Sequence, residues 1–148
     1  MYSNYKSRTT GKVFVAVTPA GFASFISDVH EGSISDRAIV EKSGFLDIID
    51  PGDIILADRG FTIDDLLCRK GARLIIPPFM EKRDALSLED EIRTSQIAKA
   101  RIHIERWNKR LKNYRFVQGP IHNTKMCLLT PAVFVCGMLA NYSSVLAK

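Results

Sequence analysis

Four short strand-like runs, set among turn signatures, most constrain how this chain can fold. Lys-Val-Phe-Val-Ala-Val at 12–17 stops at Thr18-Pro-Ala-Gly21, and 22–27 then resumes with strand-like residues. A tight turn between two such runs predicts a β-hairpin. Ile54-Ile-Leu-Ala57 follows the turn sequence Asp50-Pro-Gly-Asp53, and Arg73-Leu-Ile-Ile76 is cut off by Pro77-Pro78. Continuous apolar runs of this kind suit strands buried on both faces.

Helical signals fill the gaps between the runs. Ser33 or Ser35 can cap a helix over 37–42, with Asp36 favourable in its first turn and Ser43-Gly44 closing it. Thr62 reads as the cap of a second helix to about Lys70, stopped by Gly71. Residues 79–86 read as a charged loop. Ser87-Leu-Glu-Asp90 resembles a capping box and launches a long helix to about Asn113. Thr130-Pro131 starts a final helix that Asn141 ends. Strand, strand, helix, strand, helix, strand, long helix, helix is an α/β order, with the mixed sheet that a hairpin implies. No domain boundary is visible, so 1–148 reads as a single domain.

The chain carries 21 Lys and Arg against 16 Asp and Glu, a net charge of +5. Its placement says more than its size. Between Lys99 and Arg115 seven basic residues surround one acid, Glu105, which favours a polyanionic partner. In the same segment Ile97, Ala100, Ile104, Trp107, Leu111 and Tyr114 form an apolar stripe at helical spacing. Glu105 lies beside the stripe among Arg101, Asn108 and Lys112. That pattern suits either an ordinary solvated amphipathic helix or a lone acid held in a positive field. Cys68, Cys127 and Cys136 are far apart and without metal-ligand spacing, which predicts reduced, buried thiols in an intracellular protein. Met1-Tyr-Ser-Asn-Tyr-Lys6 is too polar for a signal peptide. Residues 126–140 are too short to span a bilayer and read as a core helix, so no membrane partner is expected.

Sites in open α/β sheets gather at the carboxyl ends of strands. Asp58 ends the 54–57 run, and Gly60 permits close backbone approach beside it. Asp58 can cap the following turn or pair with Arg59. It can equally converge with Glu105 on a hard divalent cation, Mg²⁺ or Mn²⁺. A two-ion phosphodiester site normally needs at least three carboxylates. His103, two positions before Glu105, points about 200° away on a helix and is a surface or core-edge histidine rather than a partner. Asp36 is a further candidate acid that a helix-start role explains equally well.

Gly32-Ser-Ile-Ser-Asp36, Ala57-Asp58-Arg59-Gly60-Phe61, Ile76-Pro77-Pro78-Phe79 and Ile97-Ala with Arg101-Ile-His-Ile-Glu105-Arg106, taken in this order, resemble the DDE superfamily endonuclease domain of PIF/Harbinger-like transposases and their domesticated animal relatives. The resemblance covers about Tyr2 to Leu146. It implies a ribonuclease H-like fold and a metal-dependent triad that cuts and joins DNA strands. By the same resemblance the second triad Asp falls on Asp58 and the Glu on Glu105, while Asp36 matches an accessory acid outside the triad. The first triad Asp belongs on a strand preceding the tyrosine-containing loop at which this sequence begins. An N-terminally truncated domain, with its first strand missing and inactive on its own, is therefore expected. A non-catalytic nucleic-acid- or protein-binding module is the alternative. Arg101, Lys109 and Lys112 are the expected DNA contacts. A separate or upstream DNA-binding domain, a nuclear location and a possible oligomer complete the expectation.

Overall fold

The computed structural model describes residues 11–58, 60–76, 88–118 and 127–143, with backbone alone at 88–94, 96, 97 and 100. Among the described residues six short strands and five helices follow one another: β1 (Gly11–Lys12), β2 (Val15–Val17), β3 (Ala23–Ile26), β4 (His30–Glu31), α1 (Asp36–Lys42), β5 (Ile54–Leu56), α2 (Asp64–Arg69), β6 (Arg73–Ile75), α3 (Leu88–Leu111), α4 (Arg115–Gln118) and α5 (Leu129–Ser143). A 3-10 turn, Phe45–Asp47, follows α1. The expected order stands, with β1, β4, α4 and the 3-10 turn as additions too short to leave a periodic signal.

β2 and β3 form the predicted antiparallel hairpin, its turn closed by Gly21 N–H donating to Thr18 O at 2.8 Å. Val15 faces Ile26 and Ala16 faces Phe25, but Val17 faces Ala23, so Ser24 is an extra residue on β3. A bulge of this kind turns the residues beyond it to the other face of the ribbon. β5 and β6 pair in parallel, and β1 pairs antiparallel with β4. Both pairing modes of a mixed sheet are therefore present, but among the described residues they form three separate two-stranded pairings rather than one continuous sheet. The strands are also half-buried rather than buried on both faces. Among the described residues no third strand joins any of these pairs, and Ile54 remains 62% exposed.

The hairpin divides two apolar clusters. The first gathers Ile39 and Val40 of α1, Phe45, Ile63, Leu66 and Leu67 around Ala72, with Phe14, Ala16 and Phe25 packed against it. Phe14 meets Phe45 edge-on with ring centroids 4.9 Å apart. The second gathers Ala23, Trp107, Leu111 and Ala140, with Val15, Val17 and Ile26 packed against it. The two-residue period of β2 thus supplies 14 and 16 to one cluster and 15 and 17 to the other. Ser24 brings Ala23 onto the same face as Ile26. Ile39, Ile63 and Leu67 are essentially inaccessible to water, and each such side chain contributes roughly 1.5–3 kcal/mol by burial.

Helix boundaries follow their caps. Ser35 caps α1, its hydroxyl accepting from Ala38 N–H at 3.1 Å, and Gly44 turns the chain away at φ 78°. Gly52 at φ 98° completes the 50–53 turn, with Asp53 N–H donating to Asp50 O at 3.1 Å. Four expectations are corrected. Thr62 does not cap α2, which starts after Ile63 without a side-chain cap; the Thr62 carbonyl accepts instead from Arg37 Nη1 at 2.9 Å. Asn141 does not end α5 but lies inside it, its amide taken by tertiary bonds. Nor is α5 a core helix all round: Val133, Gly137 and Ala140 are buried, while Phe134, Val135, Leu139 and Tyr142 are exposed. The cysteines are free, but Cys68 and Cys127 are exposed and only Cys136 is partly covered. No helix among the described residues is long and apolar enough to cross a membrane. The 79–86 loop and Ser87 lie outside the described residues.

Candidate active site

Helix α3 is fixed against the hairpin by one indole. Trp107 is fully buried, and its Nε1 donates to Asn141 Oδ1 at 2.8 Å. The same amide grips both backbone groups of Ala23, accepting from its N–H at 2.8 Å and donating Nδ2–H to its carbonyl at 3.0 Å. Asn141 therefore acts as a strand-like partner at the bulge and leaves no donor of Trp107 or Ala23 unpaired. Gly137 lets α5 come this close, since a Cβ there would stand 3.2 Å from Trp107 Cζ2.

Two positions before Trp107, on the solvent side of α3, Glu105 faces the carboxyl end of β5. β5 delivers Asp58: Ala57 N–H still donates to Ile75 O at 3.1 Å, and the chain then turns, with Phe61 N–H donating to Asp58 O at 3.1 Å. Arg101 lies between the two acids. Its Nη2 is 3.4 Å from Asp58 Oδ2 and its Nε is 3.5 Å from Glu105 Oε1, the latter an i,i+4 pair on the helix. Arg101, Asp58 and Glu105 are 62%, 60% and 68% exposed. At such lengths and exposures each pair stabilises by about 0–1 kcal/mol, so the guanidinium is held loosely.

Asp36, the first residue of α1, comes to the same groove. Lys12 Nζ pairs with its Oδ1 at 2.7 Å and also donates to Ile34 O at 3.0 Å. A Cβ on Gly60 would lie 3.6 Å from Asp36 Oδ2, so the turn after Asp58 runs beside Asp36. Asp36, Asp58, Arg101 and Glu105 all line one groove between β2 and β5. Lys12 was read only as the start of a strand, and nothing in its sequence context signals an ion pair with a residue 24 positions on. His103 is half-buried on another side of α3, its Nδ1 near the hairpin turn at Gly21.

The three expected DNA contacts part company. Arg101 is engaged by the acids, whereas Lys109 and Lys112 line a shallow depression of about 430 Å³ with Glu105, Asn108, Asn113 and Gln118. Gln118 Nε2 donates to the Lys112 carbonyl and ties the start of this surface to α4. The depression offers ammonium and amide donors beside a single carboxylate.

A hard cation prefers several oxygen ligands. Among the described residues no group of three or more His, Cys, Asp or Glu side chains is placed to share a metal ion. Asp58 and Glu105 do converge on one positive charge, that of Arg101. Two carboxylates fall short of the three that a two-ion site normally needs.

The family model for the DDE superfamily endonuclease matches residues 1–141. The chain belongs to that family. No curated protein and no solved structure matches it.

Proposed function

We propose that this chain is part of one transposase-derived endonuclease domain of the PIF/Harbinger type, ribonuclease H-like in arrangement, acting on DNA in the nucleus. Asp58 and Glu105 are its metal-binding and catalytic acids, with Asp36 as an accessory. The observation that supports this reading is the convergence of Asp58 and Glu105, 47 positions apart, on one guanidinium. Bound there, Mg²⁺ or Mn²⁺ would stabilise charge on phosphate oxygens as a Lewis acid. The chain's own residues orient the substrate. Lys109 and Lys112 meet backbone phosphates, Asn108 and Asn113 donate beside them, and Arg101 releases the acids and turns to a phosphate oxygen. With two converging acids the chain alone supports at most feeble cleavage.

Titrating Mn²⁺ into the protein and following water proton relaxation tests the assignment. Weak saturable binding is expected, lost in Asp58→Ala and in Glu105→Ala. Binding that persists unchanged in both variants overturns it. The exposed Lys109 and Lys112 favour a second reading, a non-catalytic DNA-binding module. On that reading affinity falls steeply with salt, and each Lys→Ala change lowers the salt slope by about 1. Affinity that is flat with salt would exclude a phosphate-tracking surface.

A further inference from the structure

Asp36 stands at the start of α1 but does not serve as its cap. Ser35 does, its hydroxyl accepting from Ala38 N–H at 3.1 Å and its carbonyl from Ile39 N–H at 3.0 Å. The Asp36 carboxylate turns instead to Lys12, 24 positions earlier. Lys12 Nζ donates to Asp36 Oδ1 at 2.7 Å and to Ile34 O at 3.0 Å. One ammonium thus fastens both the first side chain of α1 and the chain that leads into it. The Lys12 and Asp36 side chains are 35% and 32% exposed, about half as open as Arg101 and the acids that share it. A short charge-assisted bond, partly sheltered and with a second acceptor behind it, is much harder to exchange than the 3.4 and 3.5 Å contacts of Arg101.

The second carboxylate oxygen, Oδ2, lies 3.6 Å from where a Cβ on Gly60 would stand. Gly60 is the third residue of the turn that begins at Asp58 and closes with Phe61 N–H donating to Asp58 O at 3.1 Å. Phe61, the last residue of that turn, meets Phe14 with ring centroids 6.0 Å apart. Lys12 and Phe14, two positions apart, therefore reach successive residues of the turn, Lys12 through Asp36 and Phe14 directly. Because the Asp58 carbonyl is bonded to Phe61, the holding of Gly60 and Phe61 decides where the Asp58 carboxylate stands. Asp36 itself is not placed to take an ion with Asp58 and Glu105. Among the described residues no three His, Cys, Asp or Glu side chains are grouped to share one.

We propose that Lys12 is a positioning residue of the active site and that it acts through Asp36. The ammonium holds the Asp36 carboxylate against the 58–61 turn as a strut, and the turn keeps the Asp58 carboxylate facing Arg101 and Glu105. When a divalent ion arrives Asp36 keeps its lysine and is not one of the ion's ligands, whereas Arg101 gives way. The two cations of the groove thus divide their work, Lys12 as a fixed support and Arg101 as a displaceable counter-ion. Groups that orient a ligand from outside the coordination sphere set metal affinity nearly as much as the ligands do. This role rests on the assignment of Asp58 and Glu105 as the metal-binding acids.

Mn²⁺ titration of the full chain, followed by water proton relaxation, tests it. Lys12→Met keeps the stem and removes the charge, and should weaken Mn²⁺ binding by about tenfold, the low end of what losing an outer partner costs. Lys12→Arg keeps a cation within reach of both acceptors and should restore most of the affinity. Asp36→Asn should weaken binding as much as Lys12→Met, and the double variant no more than either alone, because the pair acts as one unit. The relaxation enhancement of the bound ion should be unchanged in Asp36→Asn, since no ligand is exchanged for water. A merely stabilising ion pair would lower the denaturation midpoint of Lys12→Met and leave Mn²⁺ binding by the folded protein as in wild type, which overturns the proposal. Additive losses in the double variant, or a higher enhancement in Asp36→Asn, would make Asp36 a ligand and overturn it equally. Asp58→Ala separates the two levels. If it leaves binding intact, the metal site falls and the role of Lys12 with it; if it abolishes binding while Lys12→Met changes nothing, the role of Lys12 alone falls.

Discussion

The two sides of α3 treat polar groups in opposite ways. On the buried side, Trp107 and Ala23 have every donor met by Asn141 at 2.8 Å, deep between α3, α5 and the hairpin. On the solvent side, six residues before Trp107, Arg101 is shared between two carboxylates at 3.4 and 3.5 Å in open water. The first arrangement is committed, because removing one partner strands the others away from water. The second is exchangeable, because water and ions can replace any member at little cost. Stability and chemistry are thereby separated on one helix: one side fixes where α3 lies, and the other is left free to trade its cation.

The largest effect should come from the committed side. Trp107→Ala should cost about 3–5 kcal/mol, read as a lower midpoint in denaturant; a loss below 1 kcal/mol would show that the second cluster does not anchor α3. Asn141→Leu leaves the indole and the Ala23 backbone unpaired and should cost about 1–3 kcal/mol, with Trp107 fluorescence reporting the change. Gly137→Ala forces a methyl against Trp107 and Ile26, and overpacking of this kind costs typically about 1–3 kcal/mol. Wild-type stability in that variant would mean that α5 can move outward freely.

On the exchangeable side, Arg101→Ala should leave stability within about 1 kcal/mol of wild type. It should also tighten Mn²⁺ binding severalfold, since the acids lose their resident cation. Weaker Mn²⁺ binding in this variant would break the comparison. The smallest effect concerns an exposed pair away from α3. Arg37 grips Asp65 with two bonds, 2.6 and 2.7 Å. That guanidinium holds the Asp65 carboxyl down from 3.8 to about 2. A depressed carboxyl stabilises the fold above its unfolded pKa, and the contribution fades as pH falls through about 2. The difference in melting temperature between wild type and Asp65→Asn should thus be small at pH 6 and vanish near pH 2. A difference that grows on acidification would reverse the sign.

What could be read ahead of the structure was what local chemistry fixes. The hairpin, the α1 cap at Ser35, the turn at Gly52 and the long helix through Glu105 all depend on neighbours in sequence. Asp58 and Glu105 could be singled out as acids, and their meeting at Arg101 followed only once β5 and α3 were placed. The misreadings share a cause. Asn141 looks like a helix end by propensity, yet a buried indole and a bulged strand claim its amide. Thr62 looks like a cap, yet its carbonyl serves Arg37 while its side chain caps nothing. The outer face of α5 looks like core because hydropathy counts apolar residues without knowing how many neighbours remain to cover them. The pairing of Arg101 with Asp58 left no trace in the sequence because it joins positions 43 apart.

The extra residue at Ser24 has a mechanical consequence. Because neighbouring residues of β2 serve different clusters, the hairpin is a wall common to both, and a one-residue slip would send each side chain into the wrong room. Neither cluster can be assembled with the hairpin out of step. The two halves of the molecule should therefore melt together, as one cooperative unit, although they share no helix.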